Sequence, residues 1–239
     1  MKLSIRHIKA ICMKELKDYY KNPLTLLVLI VPFLLFFIFF LIHTIRHGDL
    51  KSFSTVLPVL LDYNISFSCV IFPSFYIVEE KEKKTLDVLI LSGISPLEFL
   101  CGKMFPTVFI TMLTSISMLI LSKINFIYLP SLCILFLIIT MSEVILMSLI
   151  GIIAENNIQV LIYSLPFIFI LMYVPILSFS NISYRINSFI NISNMNFMIK
   201  NILNGNGFFY SEYSLLVIFI WLIVPSIFFI LLYKTKKLY

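Results

Sequence analysis

Two carboxylates stand in stretches otherwise free of charge, and they are the residues of this 239-residue chain best placed to do chemistry. Glu143 lies near the middle of the apolar run 132–153, and Asp62 near the start of the run 57–78. A charge at the centre of a lipid-embedded helix costs about 2.5–3.5 kcal/mol and normally faces a cavity or a partner. No basic residue sits at comparable depth in another apolar run. Glu143 therefore carries a proton, bonds to Ser142 or to tyrosine hydroxyls, or lines a path for a transported molecule. Asp62 is nearer the end of its run, where water reaches more easily, and is expected as an interfacial carboxylate. Both are candidate intramembrane functional residues. A catalytic or metal centre is not expected, and neither is a cofactor. The three histidines, His7, His43 and His47, are all expected near membrane faces, and Cys12, Cys69, Cys101 and Cys133 lack CxxC spacing. Such cysteines read as small apolar fillers. The sequences GxxxxGK[ST], HExxH and GxSxG do not occur, so the chain does not itself hydrolyse ATP through a phosphate-binding loop.

The elements that must position these residues follow from composition. Hydrophobic residues make up 60 % of the chain and charged residues 13 %. A soluble domain is about half apolar and about a quarter charged, so this chain has too few charges to cover a water-facing surface. The apolar residues form six runs long enough to span a bilayer: 24–42, 57–78, 104–121, 132–153, 158–177 and 213–232. Residues 4–20 have helical apolar spacing, with Ile5, Ile8, Cys12, Leu16 and Tyr19 on one face, and are expected to lie on the membrane as an amphipathic helix. Asn22–Pro23 breaks that helix. Residues 43–56 read as a short polar loop. The longest loop, 178–212, keeps apolar residues such as Met195, Met198 and Ile202, which one or two short helices on the outer face would use. Gly151 reads as a close helix contact.

Thirteen Lys and Arg flank one set of run ends and five the other. The thirteen belong in the cytoplasm, and an even number of spans then places both termini there. The net charge of +6 is accounted for by this topology without a nucleic-acid partner. The expected fold is an all-α integral membrane protein with about six transmembrane helices, forming one domain over residues 1–239.

The most distinctive stretch is 79–103. A charged run, Glu79-Glu80-Lys81-Glu82-Lys83-Lys84, precedes Thr85-Leu86, then Leu89, Ile90, Pro96, Glu98 and Gly102-Lys103. This stretch resembles the cytoplasmic loop between spans two and three of ABC-2 type transporter permeases, which has a charged run, Gly/Thr-Leu, an amphipathic helix, Pro, and Glu…Gly-Lys before span three. Lys84 stands where that family often has glycine. Lys14-Glu15-Leu16-Lys17 followed by Asn22-Pro23 is similar to the family's N-terminal elbow helix.

The resemblance implies a permease subunit of an ATP-driven exporter. It also implies two ABC ATP-binding subunits and a second permease copy or related permease as partners, beside membrane lipid. It further implies an elbow helix, and a coupling helix after span two that seats on the ATPase. The ATPase-docking residues would be Glu79, Glu80, Glu82, Thr85, Leu86, Leu89, Ile90 and Pro96, and the location a bacterial plasma membrane. Two other readings compete: an ion-coupled secondary transporter, which would use mid-membrane ionisable groups, and a non-transporting scaffold or assembly protein. The substrate is not readable from these residues.

Overall fold

Proline and serine punctuate the helices. Pro23 occupies a first helical position, where its missing N–H costs nothing. Ser95 caps the helix that begins at Pro96, accepting from Glu98 N while Glu98 accepts from Ser95 N, a reciprocal capping box. The computed structural model describes residues 4–21, 23–47, 50–177 and 188–236. Their helices are α1 (Ile5–Lys21), α2 (Pro23–His47), α3 (Leu50–Glu82), α4 (Thr85–Leu91), α5 (Pro96–Leu121), α6 (Leu129–Ile153), α7 (Asn157–Leu177), α8 (Asn191–Leu203) and α9 (Glu212–Lys236). Short 3-10 turns occupy Phe126–Tyr128 and Phe208–Tyr210.

The expected polar loop at 43–56 is a correction. Residues 43–47 extend α2 and 50–56 begin α3. Extra helical turns satisfy backbone N–H and C=O groups that a loop would leave to water. Pro58 and Pro73 both lie inside α3, and Pro73 does not end it. Neighbouring helices crowd this segment and make such prolines tolerable.

The long α3 is the centre of the bundle. It packs against α2, α5, α6, α7 and α8, and α6 in turn packs against α5 and α9. Leu57, Leu61, Ile65, Cys69 and Ile77 of α3 are fully enclosed. Gly151 permits this contact: a Cβ there would stand 2.9 Å from both Ile77 Cβ and Ser74 O. Gly102 does the same for α1 and α5, since its Cβ would meet Ile11 Cβ at 2.7 Å. Small residues let backbones approach in this way.

The outward faces are apolar. Phe37, Ile38 and Leu41 of α2, Phe105, Phe109 and Leu113 of α5, and Ile220, Ile223 and Ile227 of α9 are all exposed. Contiguous apolar surface of this kind needs a non-aqueous neighbour. Over the described residues, Val56–Glu82, Pro96–Leu121, Phe126–Ile153 and Glu212–Thr235 are long and apolar enough to cross a membrane. Ile30–Ile45 and Asn157–Leu171 are shorter apolar stretches. This is an all-α chain with several long apolar helices, consistent with a multi-pass membrane fold.

Candidate functional site

The charged run at the end of α3 is spent mainly on ties within the chain. Glu80 is buried and receives Lys14 from α1, Lys103 from α5 at 3.1 Å, and the Thr85 hydroxyl at the start of α4. Lys103 is equally buried. Its ammonium donates to Glu15 Oε1 at 2.5 Å and to Tyr76 O at 3.1 Å, and lies over the rings of Tyr76 and Phe99. Glu15 sits between Ile11 and Tyr19 on the buried face of α1. Burial raises its carboxyl above the ordinary value, while Lys103 and Lys14 pull it the other way.

Two further charges of the run tie helix ends together. Lys81 donates to Ile152 O and, at 2.6 Å, to Ala154 O, the C-terminal carbonyls of α6. A cation is favourable there, where a helix leaves acceptors unpaired. Glu82 accepts from Asn157 N at 3.2 Å and Asn157 Nδ2 at 3.1 Å, at the positive start of α7. Glu79 pairs with Lys83 at 2.5 Å in an exposed i,i+4 contact. At the far end of α1, Glu98 accepts from Ser4 N at 2.5 Å, and His7 Nδ1 lies 3.4 Å away. The amphipathic α1 is thereby fixed along the start of α5 at both ends, with Tyr19 hydrogen-bonded to Thr107 at 2.5 Å. Ile5, on the apolar face read from spacing, is exposed.

The turn between α3 and α4 needs an unusual backbone. Lys84 has φ +54°, in the left-handed region that favours glycine. It is the position where the resembling family often has glycine. Gly93 supplies the corresponding turn after α4, with φ +84°.

The eight residues expected on the docking element divide by environment. Leu86 is buried and Leu89 packs against the same core. Glu80 and Thr85 are engaged as above, Glu82 holds α7, and Pro96 is half-buried at the start of α5. Glu79 is half-buried and Glu82, though bonded to Asn157, is exposed, while the side chain of Ile90 lies outside the described ones. The apolar surface that α4 presents outward is instead Val88, 62 % exposed, and Leu91, 86 % exposed.

Deeper in the bundle, both carboxylates meet one short helix. Asp62 is enclosed by protein, with α8 packed over it. Asn196 of α8 donates to Asp62 Oδ2. Asn191, at the start of the same helix, donates to Glu143 Oε1 at 3.1 Å and to Ser142 Oγ at 2.6 Å. Asn194 turns back onto Ser188 O and Ile190 O. Trp221 donates to Phe189 O at 2.8 Å. Trp221 lies more than two turns into α9, roughly 14 Å from its first residue, so the chain before α8 runs alongside the middle of α9. The long loop thus contains a helix that dips inward; its residues 178–187 lie outside the described set.

Sequence reasoning passed over Lys103 and Glu15 as a pair, and Asn191 and Asn196. Their signals were present. Glu15 interrupts an apolar helical face, and the asparagines of 191–196 alternate with Ile192 and Met195 where a solvent loop needs no such side chains.

Among the described residues no group of three or more His, Cys, Asp or Glu is placed to hold a metal ion. No curated protein sequence matches the chain. The sequence model for ABC-2 family transporter proteins matches residues 44–233, which include both carboxylates, the charged run 79–84 and α8. The chain belongs to the ABC-2 family of transporter membrane proteins.

Proposed function

We propose that this chain is the membrane-spanning permease subunit of an ATP-driven exporter, one domain of six spans with both termini in the cytoplasm of a bacterial cell. Separate ATP-binding subunits power it, and a second permease copy or a related permease completes the translocation path. Family membership and the absence of a phosphate-binding loop from the sequence support this division of labour.

The observation that carries the reading is the way α4 is mounted. Glu80, Thr85, Leu86 and Leu89 fasten it to α1, α3 and α5, while Val88 and Leu91 face outward and Glu79 is half-buried. A force applied to such a helix passes directly to α1, α3 and α5 through buried, hydrogen-bonded contacts. Glu82 and Lys81 extend the same junction to α7 and α6. In this reading Val88 and Leu91 seat on the ATPase with Glu79 and Ile90, and the other docking residues hold the helix in place. Asp62 and Glu143 are the intramembrane groups of the path.

The test is Val88→Asp with Leu91→Asp, in membranes of the native host. Co-purification of the ATP-binding subunit and ATP-dependent flux should both fall, with insertion and folding retained. Unchanged values for both would overturn the docking role of α4.

A further inference from the structure

The two carboxyl–asparagine contacts share an incomplete pattern. In each, the amide donates one hydrogen to one carboxyl oxygen. The four remaining oxygens, Glu143 Oε2 with Asn191 Oδ1 and Asp62 Oδ1 with Asn196 Oδ1, are buried and have no hydrogen-bond partner among the described residues. An ionised carboxylate and an amide carbonyl are both acceptors, so placing them together without a donor is costly.

A carboxylic acid and a primary amide form a planar pairing of two hydrogen bonds. The amide N–H donates to one oxygen of the acid, and the acid O–H donates to the amide oxygen. The first bond is present in both contacts, and the second would need a proton between the orphaned acid oxygen and the orphaned amide oxygen. One proton on Glu143 Oε2 and one on Asp62 Oδ1 would satisfy all four orphaned oxygens and remove two buried charges.

The surroundings offer no substitute for these protons. Among the described residues neither carboxyl takes part in an ion pair. Asp62 lies within electrostatic reach of Glu143 on α6 and of Lys200 on α8, whose side chain is exposed. Glu143 in turn lies within electrostatic reach of Cys69 of α3, and α5 brings Thr111, whose hydroxyl donates to Thr107 O. From the other packed elements, α2 carries His43, α7 brings Tyr173 near Tyr63 of α3, and α9 carries Glu212 and Tyr213 at its first turn. Asp62 and Glu143 repel each other when both are charged, which favours protonation further.

We propose that Glu143–Asn191 and Asp62–Asn196 are two proton-binding sites that latch α8 into the bundle as acid–amide pairs, and that loss of the protons to water releases α8. On deprotonation each acid O–H bond breaks, the proton passes to water, and a carboxylate faces an amide oxygen. Repulsion then opposes the seating of α8 at both ends of the 191–196 segment. The inference does not depend on how the transporter is powered.

Infrared spectroscopy of the purified protein in lipid tests this, using aspartate or glutamate labelled with 13C at the side-chain carboxyl. A protonated acid has a carbonyl stretch separate from carboxylate bands. At neutral pH the wild type should show one such band moved by each label, lost in Asp62→Asn and in Glu143→Gln respectively. Raising the pH should remove both bands and lower the hydrogen-exchange protection of residues 188–203 roughly tenfold or more, after correction for intrinsic exchange. The double variant keeps the two-bond pairing as amide–amide contacts, so its protection should not depend on pH. Carboxylate bands alone at neutral pH, as water-bridged charged groups would give, would overturn the proposal. So would a loss of protection with pH that is equal in the double variant. If the variants do not fold, the labelled wild type still decides.

Discussion

Lys103 of α5 and Glu15 of α1, 88 positions apart, meet at 2.5 Å with both side chains 2 % exposed. Glu80 joins them from the end of α3 at 3.1 Å and passes the connection to Thr85 of α4. One ammonium therefore holds three helices, and through Glu80 a fourth. In the proposed mechanism this junction transmits motion from the ATPase to the spans.

Removing that ammonium should be severe. Lys103→Met leaves Glu15 and Glu80 buried with less compensation, and breaking a buried pair costs about 3–5 kcal/mol. Thermal unfolding in detergent should show a large fall in midpoint, against a much smaller fall for Lys123→Met on an exposed turn. A fall no larger than the control would refute the role of the junction.

The penalty should also depend on pH. Burial raises the Glu15 carboxyl in the folded state. A raised carboxyl favours folding when protonated, and that contribution is lost as pH rises through the folded value. Without Lys103 the folded value rises further, so the midpoint gap between Lys103→Met and wild type should narrow as pH falls toward acid. A gap that widens in acid would contradict the assignment.

Lys84 should tolerate glycine better than any β-branched residue. Its φ of +54° strains an L-residue by about 1–2 kcal/mol, while glycine costs the unfolded chain about 0.5–1 kcal/mol in entropy. Lys84→Gly should therefore hold or slightly raise the unfolding midpoint, and Lys84→Val should lower it. Equal midpoints for the two variants would show that this turn is not under strain.

Close packing of α3 on α6 makes Gly151 intolerant of a methyl group. Gly151→Ala places a carbon 2.9 Å from Ser74 O, a backbone atom that cannot swing aside. Overpacking of this kind costs about 1–3 kcal/mol. Gly207→Ala meets nothing within 4 Å and should be neutral. Measuring both by thermal unfolding separates packing from the general effect of replacing glycine.

On α4, inward and outward apolar residues should separate cleanly. Leu86→Asp buries a charge in the core and should reduce the yield of folded protein. Val88→Asp lies at the surface and should fold normally. Fluorescence-detected gel filtration reads the difference, and equal loss of monodisperse protein in both would reverse the orientation assigned to this helix.

The features readable in the sequence are those set by local rules. Uncharged length marks the apolar helices, because lipid leaves no partner for backbone groups outside a helix. Ser95, Pro96 and Glu98 mark the start of α5, because a cap is satisfied within four residues. The orientation of α4 was not readable. Leu86, Val88, Leu89, Ile90 and Leu91 make a seven-residue helix apolar almost all round, so no stripe distinguishes its inner face. The enclosure of Asp62 was unreadable for a related reason: position along α3 says nothing about what covers it.

By itself, then, the order of residues determined which long segments are apolar enough for lipid, and that Glu143 needs a partner. Which partner it takes was decided only by tertiary structure. Asn191 reaches Glu143 across 48 positions and Asn196 reaches Asp62 across 134. Hydrogen bonds across such separations depend on how α8 enters the bundle, a property of packed surfaces and not of any local stretch of chain.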